Sequence, residues 1–234
     1  MSSRPNDPNI GPLLSAVTKL EPLLEQIVFV GGCATGLLLT DPAAAPVRAS
    51  LDVDVIVEAA SYVEFAVLEE RLRRLGFHQP QMEGTPVCRW ASGDLLLDFM
   101  PTDPSILGFS SPWYQPAMEN AQIVAIGGKG IRLITAPYFL ATKLEALHGR
   151  GKNDYRASHD LEDIITVIDG RGEITQEVRL SEPGLRQYLS GEFRGLLSSR
   201  DFLEALPGHL LPDAASQQRA GLVLGRMRDM VLEG

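Results

Sequence analysis

The chain has 234 residues, of which 44% are hydrophobic and 22% charged, and its formal net charge is −9. That is enough apolar material for one large or two small cores, and the acidic balance excludes a broad basic surface for duplex DNA. No apolar stretch approaches the ~20 residues of a membrane-spanning helix, and the polar start lacks a signal peptide's apolar region, so the expected location is cytoplasmic, away from membranes.

In chain order, Leu13 to Gln26 carries apolar residues at helical spacing. Ile27 to Val30 then reads as a short buried strand that runs into Gly31-Gly32 and a helix start. Glycines there let backbone N–H groups approach a phosphate, and a helix N-terminus adds a favourable dipole; a plain tight turn is the ordinary alternative. The run lacks the Gly-Lys-Ser/Thr ending of a P-loop and a full dinucleotide fingerprint. Cys33 and Cys88 read as buried, reduced thiols rather than a disulfide framework. Asp41 to Val47, rich in Ala and Pro, reads as a loop.

The run Leu51-Asp-Val-Asp-Val-Ile-Val57 alternates with the period of a strand. Leu51, Val53, Val55 and Val57 fall on one face and Asp52, Asp54 and Ile56 on the other. Charge on so apolar a strand is rarely tolerated unless it is paired or bound to a metal. A second acidic strand, Asp94-Leu-Leu-Leu-Asp98-Phe-Met100, alternates in the same way. Were the two strands neighbours, about 4.8 Å apart, Asp52, Asp54 and Asp98 would share one patch. Two carboxylates ~5 Å apart repel by roughly 3 kcal/mol at an effective dielectric near 20, so the cluster calls for a cation or a retained proton. Oxygen-only ligands favour Mg²⁺ or Mn²⁺. Asp94 is the alternative third ligand; Asp98 is preferred because Pro101 soon ends the strand.

Between the acidic strands, Tyr62 to Leu75 reads as a helix capped by Ser61 and stopped at Gly76. Arg71, Arg73 and Arg74 on it could form a local anion patch, against the ordinary reading of a solvated face. Val87 to Trp90 and Asp94 to Met100 read as a hairpin turning at Ser92-Gly93. A Pro- and Ser-rich loop, Pro101 to Pro116, follows. Its aromatics Phe109, Trp113 and Tyr114 could stack on a base, but a small satellite core is the simpler reading. Two short strands around Ile123 and Ile131 are joined by Gly127-Gly-Lys-Gly130.

From Pro137 onward nearly everything reads as helix. The expected division is therefore a core over 1–135 and a helical domain over 136–234 that completes the cleft. In Lys143-Leu-Glu-Ala-Leu-His-Gly-Arg150, Lys143 and Arg150 share a face beside an apolar stripe. They suit phosphate oxygens, or else snorkel at a core's rim. In the next helix Asp160 and Asp163 flank a stripe of Leu161, Ile164, Ile165 and Ile168. They serve the helix dipole, pair with Lys143 or Arg150, or orient a nucleotide or attacking hydroxyl. Glu173 to Gly234 reads as further amphipathic helices.

The order Gly31-Gly32, Ser50-Leu-Asp52-Val-Asp54, Asp98 resembles the nucleotidyltransferase superfamily of DNA polymerase beta. Lys143 to Arg150 followed by Asp160-Leu-Glu-Asp163-Ile164 resembles the helical motifs of AbiEii-type nucleotidyltransferases, toxins of type IV toxin–antitoxin systems. The resemblance covers roughly 28–168 and implies an α/β (α+β) nucleotidyltransferase fold: a mixed central sheet, then a helical C-terminal domain. It implies Mg²⁺ or Mn²⁺ on Asp52, Asp54 and Asp98, and an NTP as substrate held by Gly31, Gly32, Ser50, Lys143 and Arg150. Catalytic roles fall to the three aspartates, Lys143 and Asp163, with transfer of an NMP to RNA or tRNA, a protein or a small molecule. An antitoxin partner is implied as well. Two departures stand out: the gap from Gly32 to Asp52 is long, and Gly32 replaces a common serine, leaving Thr35 or Ser50 for a hydroxyl contact. The rival readings are a nucleotidyltransferase-like module that binds without catalysis and an Asp-x-Asp glycosyltransferase.

Overall fold

The computed structural model describes residues 7–59, 61–149 and 154–232. The chain divides into two compact units: Met1–Leu37 with Arg48–Thr135, and Leu38–Val47 with Ala136–Gly234.

The first unit is built on one mixed six-stranded sheet. Its strands are β1 (Ile27–Val30), β2 (Val53–Val57), β3 (Arg89–Ser92), β4 (Leu95–Pro101), β5 (Gln122–Ile126) and β6 (Lys129–Leu133). Their order is β3-β4-β2-β1-β6-β5. β2 runs parallel to β4 and β1 parallel to β6, while β1–β2, β3–β4 and β5–β6 are antiparallel. β1 is buried along its whole length, as a run without polar residues in mid-sheet must be. Gly127 and Gly128 both have positive φ and close the β5–β6 hairpin, the pattern of a two-residue turn matched to strand twist.

Helices pack on this sheet. α1 (Ile10–Lys19) buries Leu13, Ala16 and Val17; it begins earlier than the spacing suggested and stops at Leu20, where Pro22 imposes a short 3₁₀ turn. Past the glycine turn comes α2 (Thr35–Leu38), a single turn. α3 (Tyr62–Arg74) buries Phe65, Leu68 and Leu72, with the Ser61 side chain accepting from the Glu64 N–H. Phe65 meets Phe99 of β4 at 6.0 Å between ring centroids, so α3 covers the face that carries Val53, Val55 and Phe99. Asp54 and Asp98, one residue out of phase, point from the opposite face. The stretch expected as a loop after Pro101 holds two short helices instead, α4 (Pro104–Leu107) and α5 (Tyr114–Glu119). α4 is started by the Asp103 side chain and ended by left-handed Gly108.

The second unit is all helical: α6 (Ala136–Gly149), α7 (His159–Gly170), α8 (Ile174–Leu180), α9 (Pro183–Ser198), α10 (Arg200–Ala205) and α11 (Ala214–Met230). Its core includes Phe139, Leu144, Ile164, Ile168, Leu189, Phe193 and Met227. The Asp41 to Val47 loop belongs to this unit. Thr40 and Asp41 both donate their backbone N–H to the Gly170 carbonyl at 2.9 Å, and a Cβ on Gly170 would lie 2.9 Å from that of Ala44. Arg219 grips both carboxylate oxygens of Asp169 and also Asp41. A mixed sheet followed by a helical C-terminal unit is the architecture the sequence predicts.

Candidate functional site

Asp54 of β2 and Asp98 of β4 are register partners on adjacent parallel strands. Parallel partners point to the same side, so the two carboxylates stand side by side. Asp52 lies one residue before β2, in a bend rather than in the strand; Leu51, expected to be buried, is 87% exposed. Asp98 sits in the middle of β4, not at its end, because β4 continues through Pro101 beside Val57. The patch opens instead because β2 begins at Val53 and β1 ends at Val30, opposite Asp54.

Gly31 follows at once, with φ of +70°. A Cβ there would fall 1.7 Å from Asp54 Oδ2. The glycine therefore makes room for a carboxylate, quite apart from any phosphate. A 3₁₀ turn and the four-residue α2 come next, so the helix expected to turn its dipole on a phosphate is only one turn long. Gly32 is buried in that turn.

The loop leading to Asp52 is pinned from below. Asn9, fully buried, donates to the Arg48 carbonyl at 3.0 Å and accepts from the Ser50 N–H at 2.8 Å. The Ser50 hydroxyl is 3.3 Å from Asp52 Oδ1, a contact to the acid rather than to a phosphate. Asp94 lies in the turn between β3 and β4 and is not part of this patch.

The residue that sequence reasoning missed is Arg89. Opposite Asp98 across the antiparallel β3–β4 pair, it donates from Nε to Asp98 Oδ1 at 2.7 Å and from Nη2 to Asp98 Oδ2 at 2.8 Å. The same Nη2 also donates to Asp52 Oδ2. One guanidinium thus bridges two of the three aspartates, at side-chain exposures of 22% for Arg89, 22% for Asp52 and 12% for Asp98. Its pKa is raised, first by the Asp98 hydrogen bond and then by the charges of Asp98 and Asp52, against the opposing effect of burial. The negative field reaches the two cysteines, both free and buried. Burial first, then Asp98 and Asp54, push the Cys88 thiol up to about 12. Burial, then Asp54, Asp7 and Asp52, push Cys33 up as well.

The donors suit a hard divalent cation, since all are carboxylate oxygens and two stand in register on adjacent strands. As the side chains lie, however, Arg89 takes oxygens of Asp52 and Asp98 that such an ion would need. Among the described residues no group of three or more His, Cys, Asp or Glu is arranged to hold a metal. Binding there requires Arg89 to yield.

The second unit has its own buried charge cluster. Lys143 of α6 is 5% exposed and donates to Asp160 at 3.0 Å, with Asp163 at 2.7 Å. Of the alternatives the sequence left open, the pairing of both aspartates with Lys143, an ion triad, is present in this unit. Arg150 lies outside the described residues. Arg71 is tied to Gln26 and the Pro22 carbonyl, and Arg73 lies 5.2 Å over the Trp90 ring. Arg74 pairs with Glu70 within α3, so Arg71 and Arg73 tie the helix to its neighbours while Arg74 stays on the exposed face. Among the described residues no helix is long and apolar enough to cross a membrane.

No family profile matches the chain, and no curated protein does. Among solved structures, it is similar to an antigenic nucleotidyltransferase-like protein from Paracoccidioides brasiliensis, at 19% identity and a TM-score of 0.49, over 87% of this chain and 94% of that one. It is also similar to JHP933 from Helicobacter pylori, at 13% identity and a TM-score of 0.45, over 93% and 90% of the two chains. Likeness at this level assigns no activity, and the function proposed next rests on the residues.

Proposed function

We propose that the chain is a divalent-cation-dependent nucleotidyltransferase. The observation that carries this reading is the juxtaposition of Asp54 and Asp98 on neighbouring strands, with Asp52 joined to Asp98 through one guanidinium. Asp52, Asp54 and Asp98 would hold Mg²⁺ or Mn²⁺, which supplies charge neutralisation for an NTP and lowers the pKa of an acceptor hydroxyl. That hydroxyl would give up its proton to a carboxylate of the site or to water as it attacks the α-phosphorus. A new O–P bond forms as the bond to the β-phosphate oxygen breaks and pyrophosphate departs. Ser50 and Asn9 fix the backbone that presents Asp52, and Gly31 leaves the Asp54 carboxylate its space.

From the sequence resemblance alone the proposal also takes Lys143, Asp163 and Arg150 as groups that serve the triphosphate, along with a cytoplasmic setting, an AbiEii-type toxin role and an antitoxin partner. The acceptor is RNA, a protein hydroxyl or a small molecule.

The test incubates the protein with each labelled NTP, Mg²⁺, and total RNA or lysate. Label transfer that disappears in Asp52→Ala and Asp54→Asn supports the reading; no transfer from any NTP under any of these conditions refutes it. A second reading has a specific observation behind it. With Arg89 already balancing Asp52 and Asp98, the fold could serve as a binding module without catalysis. Metal-independent nucleotide binding with no transfer would mark that outcome.

A further inference from the structure

Away from the carboxylates, and within the helical unit alone, lies an open groove of about 820 Å³ between α8, α9 and α11. Four of its lining residues are arginines: Arg179, Arg186, Arg194 and Arg228. One carboxylate, that of Asp229, lines it with them. This is a concentrated positive site on a chain whose net charge is −9. Some of the chain's arginines are neutralised by a neighbouring acid, as Arg200 is by Glu204 four residues on. Here, among the described residues, none of the four is paired with a carboxylate.

What holds three of them is backbone. Arg179 donates to the Asp229 carbonyl at 3.2 Å, Arg186 to the Arg179 carbonyl at 3.2 Å, and Arg194 to the Leu232 carbonyl at 2.8 Å. A carbonyl fixes a guanidinium in space without cancelling its charge, and each guanidinium has five N–H donors. Arg186 Nε is buried and has no hydrogen-bond partner, a state that costs stability unless a ligand or water supplies an acceptor. The site is positioned and charged, and part of its donor capacity is unspent.

We propose that this groove binds the phosphodiester backbone of a single-stranded RNA. The four cations are all arginine, whose planar fork matches phosphate oxygens two at a time. Arg186 and Arg194 are eight residues apart on α9, about 12 Å along the axis, farther than one phosphate group extends. The groove continues into a second depression of about 630 Å³ that shares Arg186 and Arg194, an elongated form that suits a strand better than a mononucleotide. Leu197, Met230 and Leu232 supply apolar wall between the cations, where the uncharged parts of nucleotides can lie. Among the described residues no aromatic side chain lines either depression, so recognition is of backbone rather than of base sequence.

The experiment measures binding of a labelled single-stranded oligoribonucleotide by fluorescence anisotropy across a salt series, with no NTP or Mg²⁺ present. It therefore succeeds or fails independently of the nucleotidyltransferase reading. With four phosphate contacts, log K should fall against log salt with a slope of about −2.8. Arg186→Gln with Arg194→Gln should reduce the slope by about 1.4 and weaken binding by on the order of tenfold at low salt. Arg194→Gln alone, at an exposed position, should give about half the slope change with an unchanged thermal midpoint. Inorganic triphosphate and poly-glutamate serve as competitors. Absence of RNA binding overturns the proposal, as does a double variant that folds normally and binds as wild type. Displacement by poly-glutamate at equal charge concentration would reassign the groove to acidic peptides, and displacement by triphosphate as strong as by RNA would reassign it to a small anion.

Discussion

Replacing Arg89 with Met removes three charge-assisted hydrogen bonds at once, two to Asp98 and one to Asp52. It leaves Asp52, Asp54 and Asp98 without that counter-charge. Breaking a fully buried ion pair from one side costs about 3–5 kcal/mol. Arg89, Asp52 and Asp98 keep side-chain exposures of 22%, 22% and 12%, and solvent screening reduces the figure. An expected loss of about 2–3 kcal/mol remains, of the same size as the roughly 3 kcal/mol repulsion between two carboxylates ~5 Å apart. In chelator, the variant should melt roughly 5–10 °C below wild type. Millimolar Mg²⁺ should return much of that difference in the variant and little in wild type, because the ion and the guanidinium compete for the same oxygens. The variant's apparent Mg²⁺ affinity should exceed wild type's by about tenfold or more, tenfold being ~1.4 kcal/mol. Thermal denaturation with chelator or Mg²⁺, and calorimetric Mg²⁺ titration of both proteins, measure these quantities. Equal stability in chelator, together with no Mg²⁺ effect on the variant, would refute the idea that Arg89 stands in for a cation.

Three further outcomes are expected. Gly31→Ala puts a Cβ 1.7 Å from Asp54 Oδ2 on a backbone at φ 70°, ψ −172° that is essentially reserved for glycine; urea denaturation should show a loss of at least about 1–3 kcal/mol, and any NTP-dependent transfer should fall with it. Lys143→Met strands Asp160 and Asp163 in a buried site and should cost about 3–5 kcal/mol. Adding Asp160→Asn and Asp163→Asn should recover most of that loss, and a triple variant no more stable than the single would count against the ion triad. Stability should also decline above the ordinary thiol value of 9.0, because the unfolded chain then releases a proton that native Cys88 keeps up to about 12. Cys88→Ala should make that alkaline limb shallower, with Cys33 supplying the remainder, read from denaturant midpoints between pH 8 and pH 11; an identical limb in the variant would contradict it.

The apolar alternation of Val53 to Val57 and Leu95 to Met100 carried the sheet, and the period of two put Asp54 and Asp98 on the face away from α3. Pairing between distant strands is not written in either run; the parallel register that aligns the two acids comes from packing the whole unit. Arg89 was hidden by a one-residue error. A hairpin turning at Ser92-Gly93 sets Arg89 opposite Leu96, whereas the turn at Gly93-Asp94 sets it opposite Asp98. With the correct turn, a cation facing an acid across a hairpin is an ordinary stabilising pair and could have been read. Asn9 could not, because its partners lie 39 and 41 residues away. In the helical half, the three-residue spacing put Asp160 and Asp163 on one face and left pairing with Lys143 as one of several open roles; that Lys143 meets both comes from packing α6 on α7. The arginines of α8, α9 and α11 come from three separate segments, and no local pattern gathers them.

The assignment of Leu38–Val47 to the helical unit means that the backbone passes between the two units three times. No single cut yields both halves intact. A fragment ended at Thr135 would keep Asp41 but lose the Arg219 and Gly170 that hold it, and would carry Leu39, Ala44 and Val47, all buried in the whole chain, as an apolar flap with nothing to cover it. During synthesis Asp41 must wait for Gly170, 129 residues later, and for Arg219, 178 residues later, a delay of roughly 6–36 s at common elongation rates. Dissection of this protein is better attempted by excising or bridging that ten-residue excursion than by truncation.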